Sequence, residues 1–311
     1  MTDRFNNPWA QMKEGSVRRL NVETEYNFFW ACDDSGRYAF MIEFSSAMPA
    51  DSFRGQMRGI SIAMKRDAYA KFYLILNDNR DWEMFLSVCN DISSHARRVV
   101  DEQEMIRIIN QRIKRWQRFL QEGNPLSMPE NVQMGLIGEL KCLIDILVPR
   151  FGYKNSILGW VGADKDRQDF SLTDFFLEVK CYTSSKGPSV RISSAGQLDN
   201  NLKPLFLMTY GLTRLDEGIS VPLLARTLYG LIPGGDMQLR EILEDRLAAY
   251  GFVIGITQPP FLNYHFDREV CYHVKDAFPR ISPDRLDLGV SGVKYTLDLS
   301  KCDNFQIDLP F

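Results

Sequence analysis

The stretch Gln168-Asp169-Phe170-Ser171-Leu172-Thr173-Asp174-Phe175-Phe176-Leu177-Glu178-Val179-Lys180-Cys181-Tyr182 decides how this chain is read. From Phe175 to Tyr182 the residues alternate. Phe175, Leu177, Val179 and Cys181 fall on one face of a strand, and Phe176, Glu178, Lys180 and Tyr182 on the other. Glu178 and Lys180 therefore share a face. Gln168 to Leu172 alternates too, with Phe170 and Leu172 on the core side and Asp169 on the polar side. A turn at Thr173-Asp174 would fold the two runs into a hairpin and bring Asp169 toward Glu178. Taken alone, Glu178-Val179-Lys180 is more ordinarily a solvated strand face, because an acid, any residue and a lysine arise readily by chance.

A further acid upstream changes that balance. A helix expected over about 130–148 carries the apolar stripe Leu136, Leu140, Leu143 and Leu147. At about 100° per residue, Glu139 falls at the edge of this stripe near Ile146, with Lys141 and Asp145 on the outside. Glu139-Leu140-Lys141 has the same spelling as the strand tripeptide. On a helix, however, residues two apart point about 200° away from each other, so that pair cannot share a metal. A carboxylate at the edge of a buried face needs a partner; an arginine would do, but the coincidence of three acids and a lysine favours a metal shared with Asp169 and Glu178.

The residue types suit phosphodiester hydrolysis. Magnesium prefers oxygen ligands in octahedral geometry and acidifies a coordinated water. Asp169, Glu178 and the carbonyl of Val179 would supply oxygens, and Glu139 would bind the metal directly or through water. Lys180 would orient or deprotonate the attacking water and balance charge on the pentavalent phosphate. Downstream, the run from Lys186 to Gln197 offers basic, hydroxyl and amide groups of the kind that contact phosphates. Lys186, Arg191 and Gln197 are the expected substrate contacts, against the alternative of a surface loop followed by a Ser-capped helix.

Around this site the chain reads as two domains, 1–125 and 126–311. Aromatic and β-branched runs in residues 20–48 and 56–76 form an antiparallel β unit, followed by a helix from about Asp81 with apolar positions out to Val99. A second helix starts at the capping box Asp101/Glu104 and stops near Gly123. Its basic face, Arg107, Gln111, Lys114, Arg115 and Arg118, is more often a solvated face than a DNA contact. After the connector Gly123-Asn124-Pro125-Leu126, Ser127 with Glu130 forms another capping box. Beyond it, strands are expected near 157, 169, 178, 189–192, 204–211, 269–275 and 293–299, with helices from Ser194 and over 221–231 and 237–250. The fold class is α/β, a mixed C-terminal unit preceded by a β-rich α+β domain.

Composition narrows the classes. With 311 residues, 45% apolar and 25% charged, the chain is globular, and its net charge of -3 makes any DNA surface a local patch. The six cysteines have no zinc-like spacing and look like reduced, buried thiols. The three histidines are isolated, which leaves metalloprotease and Ser/His/Asp chemistry without support. There is no signal-peptide core and no run of transmembrane length, which points to a cytoplasmic protein without a membrane partner.

The order of these motifs resembles the PD-(D/E)XK nuclease superfamily, whose restriction-endonuclease-like αβββαβ core carries its site on the central hairpin. The helix with Glu139, strands near Ile157, Asp169 and Glu178-Lys180, a helix with Gln197 and the strand Leu205–Thr209 follow that order. Gln168 stands where many members have proline. Gly138-Glu139-Leu140, Gln168-Asp169-Phe170, Glu178-Val179-Lys180, Arg191-Ile192-Ser193-Ser194, Gln197-Leu198-Asp199, Gly289-Val290-Ser291 and Tyr295-Thr296-Leu297-Asp298-Leu299 are similar to a bacterial family of PD-(D/E)XK motif proteins encoded near restriction-modification and phage-defence genes. That resemblance implies a DNA endonuclease using Mg²⁺, with Mn²⁺ able to substitute, of restriction or phage-defence type. It also implies DNA and restriction-modification proteins as partners. Double-strand cleavage usually takes two active sites, which suggests a homodimer. The alternatives are a non-catalytic DNA-binding or assembly subunit of a defence complex, and a structure-specific nuclease such as a junction resolvase.

Overall fold

The computed structural model describes residues 7–21, 26–45, 57–66, 69–97, 99–121, 127–164, 167–199, 202–275 and 277–309. It divides into two compact units, Met1–Leu126 and Ser127–Phe311. The expected connector Gly123–Leu126 lies outside the described residues.

The first unit is an antiparallel sheet of β1 (Val17–Arg19), β2 (Asn27–Cys32), β3 (Tyr38–Phe44), β4 (Ile60–Arg66) and β5 (Ala70–Leu76), in the order β1-β2-β3-β5-β4. Strand alternation puts Phe28, Phe40, Ile42, Phe72 and Leu74 on one fully buried face. Two helices follow, α1 (Trp82–Ala96) and α2 (Glu102–Gln121). Arg112 of α2 is buried against Asp91 of α1 at 2.6 Å, and Trp116 Nε1 donates to the same carboxylate at 3.0 Å. The Asp101 cap forms as expected, its Oδ1 accepting from Glu104 N at 2.8 Å. α1 stops at Ala96 rather than near Val99, because the β-branched pair Val99-Val100 leads into that cap, which needs extended backbone.

The second unit is mixed α/β. Its helical layer begins with α3 (Glu130–Cys142), runs through a π-helical turn (Leu143–Leu147) and continues as α4 (Val148–Gly159), broken at Gly152, whose φ of 75° only glycine adopts readily. The helices α5 (Val221–Leu231) and α6 (Met237–Ala249) complete the layer. The sheet contains β6 (Phe170–Ser171), β7 (Phe176–Thr183), β9 (Leu205–Leu215), β10 (Asn263–His273) and β12 (Gln306–Ile307), ordered β12-β10-β9-β7-β6. Only β7 and β9 run parallel. Leu177 and Val179 of β7 pack with Leu136, Leu140, Leu228 and Leu243 of the helices on one side. On the other side lies a two-stranded ribbon of β8 (Ser189–Ile192) and β11 (Tyr295–Asp298), whose Val190, Ile192 and Leu297 pack with Tyr182, Leu205 and Leu207.

Four expectations need correction. The segment near Ile157 is not a strand. Ile157 and Trp160 recur at helical spacing, both are fully buried, and only an isolated bridge from Trp160 to Phe170 marks the place of a first strand. Gln197 lies in a single 3₁₀ turn, Ala195–Leu198, not in a longer helix. The buried Gln168 amide donates to the Gly196 and Gln197 carbonyls, each at 3.2 Å, taking the acceptors that a continuing helix would use. Ser127 does not cap α3, because Pro129 occupies the cap position and Ser127 bridges to Gln258. The strands expected over 204–211 and 269–275 are longer, Leu205–Leu215 and Asn263–His273, since they pair with each other around a bulge between Phe266 and Arg268.

Contact between α3 and β7 depends on Gly138. A Cβ at Gly138 would lie 2.3 Å from Cys181 Sγ and 3.3 Å from Val179 Cγ1. The bare backbone lets the helix reach the strand. Gly138→Ala should therefore destabilise the protein by about 1–3 kcal/mol through overpacking. In denaturant titrations, adding Cys181→Ala should recover most of that loss; equal loss with Cys181 present or truncated would sink the account.

Candidate active site

β6 and β7 do form the hairpin, with Phe170 opposite Leu177 and Ser171 opposite Phe176, closed by Leu172 N donating to Phe175 O at 3.0 Å. The pairing then stops. At Asp169 the chain leaves β7, and its carbonyl instead accepts from Val161 N and Gly162 N, both at 2.9 Å. Where the strands part, Val179 N–H loses a ladder partner, and Asp169 Oδ2 accepts it at 2.8 Å. A residue's N–H and C=O leave a strand on the same side, so the Val179 carbonyl also faces this gap.

Glu178 follows on β7, fully buried, and Lys180 Nζ donates to its Oε1. Among the described residues, Glu178 Oε2 has no hydrogen-bond partner. A buried carboxylate oxygen without a partner is costly unless something else satisfies it. From the helical layer, Glu139 is 6% exposed, and its Oε2 accepts from Trp160 Nε1 at 2.7 Å and from Tyr250 Oη at 2.5 Å. Its lookalike Lys141 pairs instead with Asp145 at 2.6 Å and Glu269 at 3.2 Å, under the Phe266 ring.

The electrostatics mark an excess of buried negative charge. Burial, then repulsion from Asp169, pushes Glu178 up to about 8, with Lys180 pulling the other way. Burial likewise raises Asp169 against the opposing pull of Lys180 and the Val179 N–H. Glu139 is pushed well above the carboxylate range by burial and then by Asp169, while Tyr250, Trp160 and Lys180 oppose the shift. Burial alone would lower Lys180. The Glu178 and Asp169 carboxylates overcome that effect and hold its ammonium above the usual range.

Among the described residues, no three His, Cys, Asp or Glu side chains converge as a ready-made metal cage. The donor set still fits a hard cation. It offers the half-buried Asp169 carboxylate, the fully buried Glu178 carboxylate with its unsatisfied Oε2, and the Val179 carbonyl, and oxygen ligands of this kind suit Mg²⁺. Space beside Asp169 is kept by Gly162, where a Cβ would stand 2.8 Å from Tyr250 Oη and 3.0 Å from Asp169 Oδ1.

Of the expected substrate contacts, Gln197 is tied through its carbonyl to Gln168, the neighbour of Asp169. Lys186 and Arg191 are exposed, and Arg191 leaves the outer face of the ribbon while its neighbours Val190 and Ile192 pack inward. Gln197 Oε1 is engaged by Ser193 N at 2.8 Å. On α2, Arg107 is tied to Glu104. Two residues at the site went unread in the sequence, Trp160 and Tyr250, and Gln168 was read only as standing in the place of a proline. Trp160 and Tyr250 stack with ring centroids 5.6 Å apart, yet no spacing rule connects Tyr250 with Glu139 across 111 residues.

A carboxylate, a lysine-bearing strand and a helical glutamate thus stand around one splayed hairpin. A family model described as "Putative PD-(D/E)XK family member, (DUF4420)" matches residues 5–300, and the chain belongs to that family. No curated protein and no solved structure matches the chain. All six cysteines are free, and among the described residues no helix is long and apolar enough to cross a membrane.

Proposed function

We propose that the second unit, 126–311, is a divalent-metal-dependent endodeoxyribonuclease built on a reduced αβββαβ core. One observation carries this reading: Asp169, Glu178 and Lys180 meet where β6 leaves β7, and one Glu178 oxygen is left unsatisfied. Members of the superfamily are typically nucleases that use divalent metals. The chemistry supplied by Mg²⁺, or by Mn²⁺ in its place, is Lewis-acid stabilisation of phosphate charge and acidification of water.

The chain's own residues do the rest. Asp169, Glu178 and the Val179 carbonyl would hold the cation, and Glu139 would add a further carboxylate directly or through water. Lys180 keeps its ammonium form, so it donates to the attacking water and balances the charge that builds on the phosphate. Lys186, Arg191 and Gln197 would meet the DNA backbone outside this centre. The first unit, 1–125, serves DNA binding or assembly. The family resemblance supports a restriction-type or phage-defence role with restriction-modification partners, the absence of an export signal a cytoplasmic location, and the need for two active sites in double-strand cleavage a homodimer.

The test incubates purified protein with plasmid, phage and branched DNAs in Mg²⁺ or in EDTA. Cleavage in Mg²⁺ that EDTA abolishes is the expected result, and cleavage that survives EDTA would refute it. Clear binding without cleavage of any DNA would favour a non-catalytic subunit. Cleavage confined to branched DNA would make it a structure-specific nuclease.

A further inference from the structure

Glu139 is held in an unusual way. Both of its donors, Trp160 Nε1 and Tyr250 Oη, converge on a single oxygen, Oε2. Oε1 accepts no hydrogen bond from a described residue. The two donors also form one body, since the indole and phenol rings stack at 5.6 Å with 10° between their planes. That body is anchored from α6. Arg246 donates to Leu158 O at 3.1 Å and also to Ile157 O, and pairs with Asp164 at 3.6 Å, clasping both ends of the segment that carries Trp160 and Gly162. Gly162 then backs onto both Tyr250 Oη and Asp169 Oδ1. A hydroxyl from the end of α6 thus sits between the two carboxylate-bearing elements.

We infer that Tyr250 is a positioning residue of this site: its hydroxyl, locked by the Trp160 stack, pins Glu139 Oε2 so that Oε1 is the oxygen presented to a divalent cation. The inference rests on the metal-site reading proposed above. A carboxylate fixed through one oxygen loses rotational freedom before the cation arrives, and outer hydrogen bonds of this kind support metal affinity. The plainer account is that Tyr250 only satisfies a buried acid. Removing the hydroxyl would then cost stability without touching cation binding.

Calorimetric Mn²⁺ titrations separate the two accounts, using wild type, Tyr250→Phe, Glu139→Gln and the double variant. Phenylalanine keeps the stack and removes only the hydroxyl. Tyr250→Phe should weaken Mn²⁺ on the order of tenfold. In the Glu139→Gln background the same substitution should have no further effect, because both changes act through one carboxylate. Trp160→Phe, which deletes the other donor and keeps a ring, should repeat this pattern. Losses that simply add, or wild-type Mn²⁺ affinity in Tyr250→Phe, would overturn the positioning role while leaving the metal site standing. A wild-type protein that binds no Mn²⁺ would bring down the metal reading and this inference with it.

Discussion

Asp169→Asn, Glu178→Gln and Lys180→Met should each abolish Mg²⁺-dependent DNA cleavage. The first two remove the proposed cation ligands without changing side-chain shape, so they should cancel the several kcal/mol that a Lewis acid contributes, a loss of about a thousandfold or more. In Asp169→Asn the amide oxygen can still accept from Val179 N–H where β6 parts from β7, so the substitution removes the charge while keeping the hairpin contact. Lys180→Met removes the only cation paired with Glu178 among the described residues, and with it the charge that offsets Asp169 and, above a pH of about 8, Glu178. That variant should melt lower in EDTA, whereas Glu178→Gln should not show the same penalty, because Asp169 still faces Lys180. Circular dichroism beside the cleavage assay separates lost chemistry from lost fold. An Asp169→Asn protein that is folded and cleaves at the wild-type rate would remove Asp169 from the site.

The hairpin was legible because both of its signals are local. Alternation over Phe175–Tyr182 fixes the faces of one strand, and the Thr173-Asp174 turn sets where the next begins. Helix phase was legible for the same reason: Leu136, Leu140, Leu143 and Leu147 are all fully buried, and Lys141 pairs with Asp145 away from the site. What failed was decided by distant partners. Ile157-Leu158 spells a strand, but the core that receives Ile157 and Trp160 is assembled from α5, α6 and β7. The turn at Gln197 is short because a glutamine side chain from a separate segment caps its carbonyls. Gln168 replaces the proline common before the first acid, and only its bonds in three dimensions show what it does there. The Glu139 clamp belongs to this class too, since Tyr250 arrives from the end of α6.

The metal-free protein should lose stability as pH rises, against the usual behaviour of acidic residues. A typical paired carboxylate titrates lower in the folded state, and its stabilisation fades on acidification. Glu178 is the reverse case, raised in the folded state to about 8 by burial and then by Asp169. Below the unfolded carboxylate range it is protonated in both states and carries no penalty. Between that range and about 8 the unfolded chain ionises first, so folding must hold a proton that the unfolded chain releases, and stability falls across this window. Asp169 is raised in the same direction and adds to the slope. The total change should be on the order of a few kcal/mol, since a tenfold change in an ionisation constant between the two states is worth about 1.4 kcal/mol. A bound cation inverts the sign by taking the place of the proton, so the stabilisation given by Mn²⁺ should grow as pH rises toward about 8. Melting temperatures from pH 5 to 9 in EDTA and in Mn²⁺ should therefore diverge (roughly this interval brackets the ionisation window). Glu178→Gln should flatten both curves, and an EDTA curve that climbs steadily through the same interval would show that Glu178 is not held as a buried, proton-retaining acid.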